Sequence, residues 1–336
     1  MLAIAIIVAP IFALIAMGFI AARTGYMGPG SGKVLAEFGF KVAMPALLVR
    51  AAMQVQATDA SPVALWTAFF AAALIIWVLT AIFTPLLLRR PAADAPAIAF
   101  GSTFGNSIML GIPLGLAAFG PEAATPMALL VSVDTPLMWL IATLHQEWTG
   151  RRSDVPLSRA LGGVLADLFR NPIILALLVG TALRFAGVTL DPVTDKIVSL
   201  LGAAAVGSAL FALGMTVAAI ELRGQAPTLV LICTMKLLVY PAIAFIVVTY
   251  LVPLPPVWAN VVLLFAALPV GANAFLFASR YERAVGSVSA AIAISTVIAA
   301  ITVPLVLGLL QGVLVIPWAD LSAGFDALLR LIGLGG

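Results

Sequence analysis

"GNSIMLGIPLG", residues 105–115, interrupts a run that is otherwise apolar enough to cross a bilayer. Glycine and proline weaken a helix, and an asparagine amide is costly to bury without partners. A chain that sets Gly105, Asn106, Ser107, Gly111 and Pro113 at mid-membrane depth therefore needs broken backbone and a polar group there.

The surroundings are a membrane protein's. Of the 336 residues 63% are hydrophobic and 9% charged, with a mean hydropathy of +1.19, whereas about a quarter of an ordinary soluble domain is charged. A span takes about 20 apolar residues, and such runs repeat along the chain. They predict an all-α polytopic membrane protein with ten transmembrane helices, at 2–22, 34–53, 62–88, 96–119, 123–146, 171–188, 194–220, 227–251, 257–279 and 287–316. The first run lacks a basic start and reads as a span rather than a cleavable signal. The longest loop, 147–170, is expected to hold a short interfacial helix, and the tail, 317–336, is weakly amphipathic. A single cysteine, Cys233, rules out a disulfide within the chain and a thiolate-rich metal site.

Basic residues set the expected orientation. Eleven loop arginines and lysines fall on one side, four of them in 147–170, against Lys196 and Arg330 on the other. The 147–170 loop is then cytoplasmic and both termini are extracytoplasmic. A repeat runs through the same pattern. "PIFALIAMGFIAARTG" (10–25) aligns with "PIILALLVGTALRFAG" (172–187), and "KVLAEFGFKVAMPAL" (33–47) with "KIVSLLGAAAVGSAL" (196–210). Residues 1–146 and 171–316 are thus two repeats of five spans each. An odd number of spans makes them inverted, which is an architecture of secondary transporters.

The repeat supplies a partner for the broken span 4. Span 9 reads "AALPVGANAFLFASRY" (266–281), with Pro269, Gly271 and Asn273 among apolar residues, and Asn273 is the expected counterpart of Asn106. Each break leaves N–H groups at the start of its second half-helix, partially positive and aimed inward. Two such ends converging suit a small anion, a carboxylate above all.

These two stretches, together with "FKVAMPALL" (40–48), "FRNPIILALLVG" (169–180), "AAAVGSALFALGM" (203–215) and "MKLLVYPAIAF" (235–245), resemble the auxin efflux carrier family, which includes plant PIN-FORMED carriers and bacterial malonate-type carriers. The resemblance implies a scaffold domain of spans 1, 2, 6 and 7, and a transport domain of spans 3–5 and 8–10. It also implies an elevator-type mechanism, with the unwound parts of spans 4 and 9 crossing at the substrate. In that family a crossover asparagine meets the substrate carboxylate, matching Asn106, and the span-4 proline matches Pro113. Plant members have a proline where this chain has Ala274, and some have a long central loop that is absent here. Both departures point away from auxin itself. Expected partners are a small organic anion, the lipid bilayer and, through the scaffold domain, a second copy of the chain, with no nucleic acid.

Charges within spans are candidates for function. Asp134 and Lys236 fall at similar depth in the transport domain, so a mutual pair is expected, either bracing the domain or coupling transport to protons. Lys41 with Glu37 one turn earlier reads as an interfacial helix pair. Arg50 and Arg184 are placed to snorkel at the outer ends of their spans, and His145 to sit at the inner interface. No cofactor is expected, and proton or sodium coupling is open. An intramembrane enzyme would need clustered aspartates or paired histidines, whereas there is one histidine and the acids are scattered. The competing reading is a cation-coupled transporter of the sodium/proton antiporter or sodium–organic acid symporter type.

Overall fold

The computed structural model describes residues 2–54, 60–149, 172–220 and 224–310. The expected interfacial helix of the central loop and the tail 317–336 lie outside them. Among the described residues the chain is all helical, apart from one isolated β-bridge. The helices are α1 (Leu2–Arg23), α2 (31–54), α3 (Pro62–Leu86), α4a (Ala95–Thr103), α4b (Ser107–Phe119), α5 (Ala124–Trp148), α6 (Pro172–Phe185), α7 (Pro192–Ala218), α8 (Ala226–Leu251), α9a (Pro256–Ala267), α9b (Ala272–Tyr281) and α10 (Val285–Leu310). Six of them, α1, α3, α5, α7, α8 and α10, are long and apolar enough to cross a bilayer, while α4b and α9a are shorter apolar helices.

Capping and proline placement explain the local geometry. Ser61 caps α3 through the Ala64 N–H and Asp191 caps α7 through Val193 and Thr194, each with proline at the first helical position. Among the described residues there are four π-turns, at Gly39–Ala43, Ser107–Gly111, Met235–Val239 and Val247–Leu251. Each ends two residues before a proline: Pro45, Pro113, Pro241 and Pro253. A proline gives no N–H to the preceding turn and pushes on its carbonyl, and the turn widens to relieve both.

Glycines let one group of helices approach closely. A Cβ on Gly18 would strike the Phe211 carbonyl, so α1 lies directly on α7; Gly214 does the same for α7 against Ile15. A Cβ on Gly180 of α6 would come within 2.5 Å of the Val49 carbonyl of α2. Gly39 of α2 abuts Ser208 of α7, and Gly202 of α7 abuts Leu47 of α2. With lipid as solvent, such backbone proximity is a main source of helix–helix attraction.

The other helices pack among themselves: α3 on α4a, α4a on α5, and α10 on α8, α9a and α9b. Phe100 of α4a, Trp139 of α5 and Phe277 of α9b meet in an aromatic cluster with ring centroids 5.2–6.0 Å apart.

Ion pairs tie the ends. Arg90 holds Asp94 at 2.9 Å and reaches Gln225 and Thr228, while Arg283 reaches Asp94 at 3.4 Å. Three loops rich in basic residues are thus brought to one end of the molecule. Arg50, expected to snorkel, instead grips Asp195 with two hydrogen bonds of 2.8 and 3.3 Å, joining the end of α2 to the first turn of α7.

Candidate functional site

The two broken helices cross at their breaks. α4a stops at Thr103 and Phe104 turns extended; α9a stops at Ala267 and Leu268 turns extended. The exposed backbone edges then pair. Asn106 N–H donates to the Pro269 carbonyl at 2.9 Å, and Gly271 N–H donates to the Phe104 carbonyl at 3.0 Å, framing an antiparallel bridge between Gly105 and Val270. Val270 N–H is held by the Ser295 hydroxyl of α10 at 3.0 Å. These bonds offset part of the cost of burying the backbone groups that the breaks free.

Glycine is required at 271 and fits closely at 105. A Cβ on Gly271 would lie 2.5 Å from the Gly105 carbonyl oxygen, and one on Gly105 would lie 3.3 Å from both the Lys236 ammonium and the Phe265 carbonyl. The register also corrects one expectation. Rotation about the bridge maps Asn106 onto Gly271, so Asn273 is not its counterpart but sits in the first turn of α9b. Asn106 and Asn273 therefore stand at unequal positions relative to the bridge.

Past the bridge, α4b and α9b begin. The N–H groups of Ser107, Ile108 and Met109, and those of Ala272 and Asn273, have no acceptor among the described residues. The buried Asn106 amide likewise makes no side-chain hydrogen bond there; Ser107 Oγ reaches the Gly105 carbonyl at 3.5 Å. All of these residues line one cavity of about 330 Å³. Asp134 and Thr135 of α5 form a second wall, and Lys33, Glu37, Lys41 and Met44 of α2 a third. Ala274 is fully buried, and neither it nor Pro113 reaches the cavity. Pro113 belongs to the first regular turn of α4b, after the π-turn, and the crossing itself is made by Phe104, Gly105 and Asn106.

Lys236 and Asp134 act on each other electrostatically, as the expected pair would, but not through a direct contact. No contact of 4.0 Å or less joins them among the described residues. The fully buried Lys236 ammonium donates to the Ala266 carbonyl at 2.8 Å and the Phe265 carbonyl at 3.4 Å, and lies 4.5 Å from the Tyr240 ring centroid. The π-turn before Pro241 carries it to the carbonyl end of α9a, where a cation suits the helix dipole. Sequence reasoning had no access to that acceptor, since the carbonyls that need a cation lie thirty residues away. Ser295, and the α2 residues Lys33, Glu37 and Lys41, were also missed as members of the site. Glu37 and Lys41 are 3.7 Å apart as a helix pair, but they face the cavity rather than only the interface.

The arrangement presents two partly positive helix starts and an unengaged amide to one cavity. Helix starts and amides of this kind are the groups that bind small anions in proteins.

Comparison with known proteins agrees in kind. The sequence family described as "Membrane transport protein" matches residues 3–307. The "Putative malonate transporter" of Rhizobium meliloti (strain 1021) is 26% identical over 307 residues, covering 91% of this chain and 95% of that protein. The "Lysosomal cholesterol signaling protein" of Mus musculus is 23% identical over 308 residues, covering 86% of this chain but 35% of the mouse protein. With the matching family spanning nearly the whole chain, and its crossed half-helices in place, this chain belongs to the auxin efflux carrier family of membrane transport proteins and is a transporter rather than an enzyme.

Proposed function

We propose that the chain is a secondary transporter of small organic anions, mono- or dicarboxylates of malonate size, acting by an elevator mechanism in the cytoplasmic membrane. One observation carries this reading: two helix N-termini without acceptors and the unengaged Asn106 amide share a single cavity at the crossing of the broken helices. The rhizobial relative's name, which refers to malonate, is in keeping with it.

The proposed frame is ten crossings in two inverted repeats. The glycine contacts support it, because Gly18 meets α7 as its repeat mate Gly180 meets α2, and Gly39 meets α7 as its mate Gly202 meets α2. The helices α1, α2, α6 and α7 would be the scaffold, forming a homodimer, and the rest the moving domain. The meeting of Arg90, Arg283 and Gln225 at one end supports a shared cytoplasmic face for those loops, with both termini outside. Asp134, buried on the cavity wall, is the group we assign to proton coupling.

Asn106→Ala tests the reading in proteoliposomes. Loss of a hydrogen bond to a charged group costs about 1.5–3 kcal/mol, so carboxylate affinity should fall roughly tenfold to a hundredfold while the protein still folds. Asn273→Ala should act in the same direction and less strongly. Wild-type affinity in both variants would contradict the site.

A further inference from the structure

The cavity has one wall that the anion site does not need. Lys33, Glu37 and Lys41 follow one another at four-residue intervals along α2, and all three line the cavity that Asn106, Ser107 and Asn273 close from the other side. Lys41 is not consumed by its partner. Its ammonium lies 3.7 Å from the Glu37 carboxylate, with the side chains 63% and 52% exposed, which is a loose and solvated contact. Glu37 also stands one turn from Lys33, so it can lean to that side and leave Lys41 with a vacant donor set.

Resting on the carboxylate reading above, we propose that Lys41 binds the second carboxylate of a dicarboxylate, with Glu37 as the internal anion it displaces. The first carboxylate takes the amide of Asn106 and the N–H groups of α4b and α9b. A monocarboxylate would leave its uncharged end beside an ammonium and forgo that contact. A cavity of about 330 Å³ is at the small end of ligand pockets and suits a short diacid. The two contacts also come from different helix groups, since Lys41 is on α2, which packs mainly on α6 and α7, while the half-helices at the crossing pack on α5, α8 and α10 and touch α7 through the Ser107–Gly111 turn. A dicarboxylate therefore bridges the two groups, and Lys41 must let go when they slide apart.

The test uses the full chain in proteoliposomes, with malonate and monomethyl malonate, which share a skeleton and differ by one charge. Wild type should prefer malonate. Lys41→Gln should lower malonate affinity roughly tenfold and leave the monoester within about twofold, because only the diacid loses a charge-assisted hydrogen bond. Glu37→Gln should raise malonate affinity, and Lys41→Arg should keep the preference. If Lys41→Gln weakens both ligands equally or neither, or if Glu37→Gln weakens malonate as Lys41→Gln does, the proposal fails while the carboxylate site stands. Asn106→Ala, by contrast, should weaken both ligands, and a wild-type protein that carries neither overturns both readings.

Discussion

Asp134 is a carboxyl group on the wall of the cavity for which we propose a carboxylate substrate. Two like charges sharing such a space repel strongly, because water screens them poorly there. Lys236 offsets one negative charge from nearby, but its hydrogen bonds are spent on Ala266 and Phe265, and the buried Tyr240 hydroxyl of the same helix makes no hydrogen bond among the described residues. Entry of the substrate with a proton on Asp134 removes the conflict. Wild-type uptake should then rise as the pH on the entry side falls, while Asp134→Asn, which mimics the protonated form, should give uptake that is flat with pH. A variant that follows the wild-type pH profile would place the coupling elsewhere. Asp134 stood out in the sequence as a charge within a span. Its separation from Lys236 did not, because two residues at equal depth on different helices can face different neighbours.

Broken helices are stable only if the ends they create are satisfied. α9a closes its carbonyl end with Lys236, and the crossing strands satisfy each other through Asn106, Pro269, Gly271 and Phe104. Among the described residues, the N-terminal ends of α4b and α9b remain open and face the cavity. Lys236→Met leaves two buried carbonyls without a donor, at about 1–3 kcal/mol for an unsatisfied group, whereas Lys236→Gln keeps an amide that can donate. The melting temperature in detergent should therefore fall further for Met than for Gln. Equal shifts would show that the capping bonds contribute nothing beyond the charge. The breaks themselves were legible, since Gly105, Pro113, Pro269 and Gly271 stand against apolar neighbours. The crossing point was less so: prolines draw the eye to Pro113, but a proline there widens the preceding turn, and the extended backbone begins nine residues earlier at Phe104. Glu37 and Lys41 read as an ordinary helix pair because their spacing is that of one; only the fold shows that the helix face they occupy turns toward the cavity.

At the scale of the whole molecule, one set of helices is locked by glycine contacts and the other is organised around the crossing. Exposed apolar side chains on α6, such as Leu178 and Val179, and on α7, such as Ile197 and Leu200, give the first set a surface suited to lipid or to a second copy. The crossing sits between this set and the rest, with Ala209 of α7 and Met44 of α2 forming part of its cavity. In the proposed mechanism a carboxylate at the crossing moves with the half-helices when one set slides past the other, and the α2 and α7 walls of the cavity stay behind. The most direct test is a cysteine at Ile108, whose residue lines the cavity, in a background where the buried Cys233 is replaced by serine. The account predicts that an impermeant thiol reagent modifies it in both right-side-out and inside-out vesicles, and that malonate slows the reaction from either side. Labelling from one side only, or at a rate that malonate leaves unchanged, would contradict it.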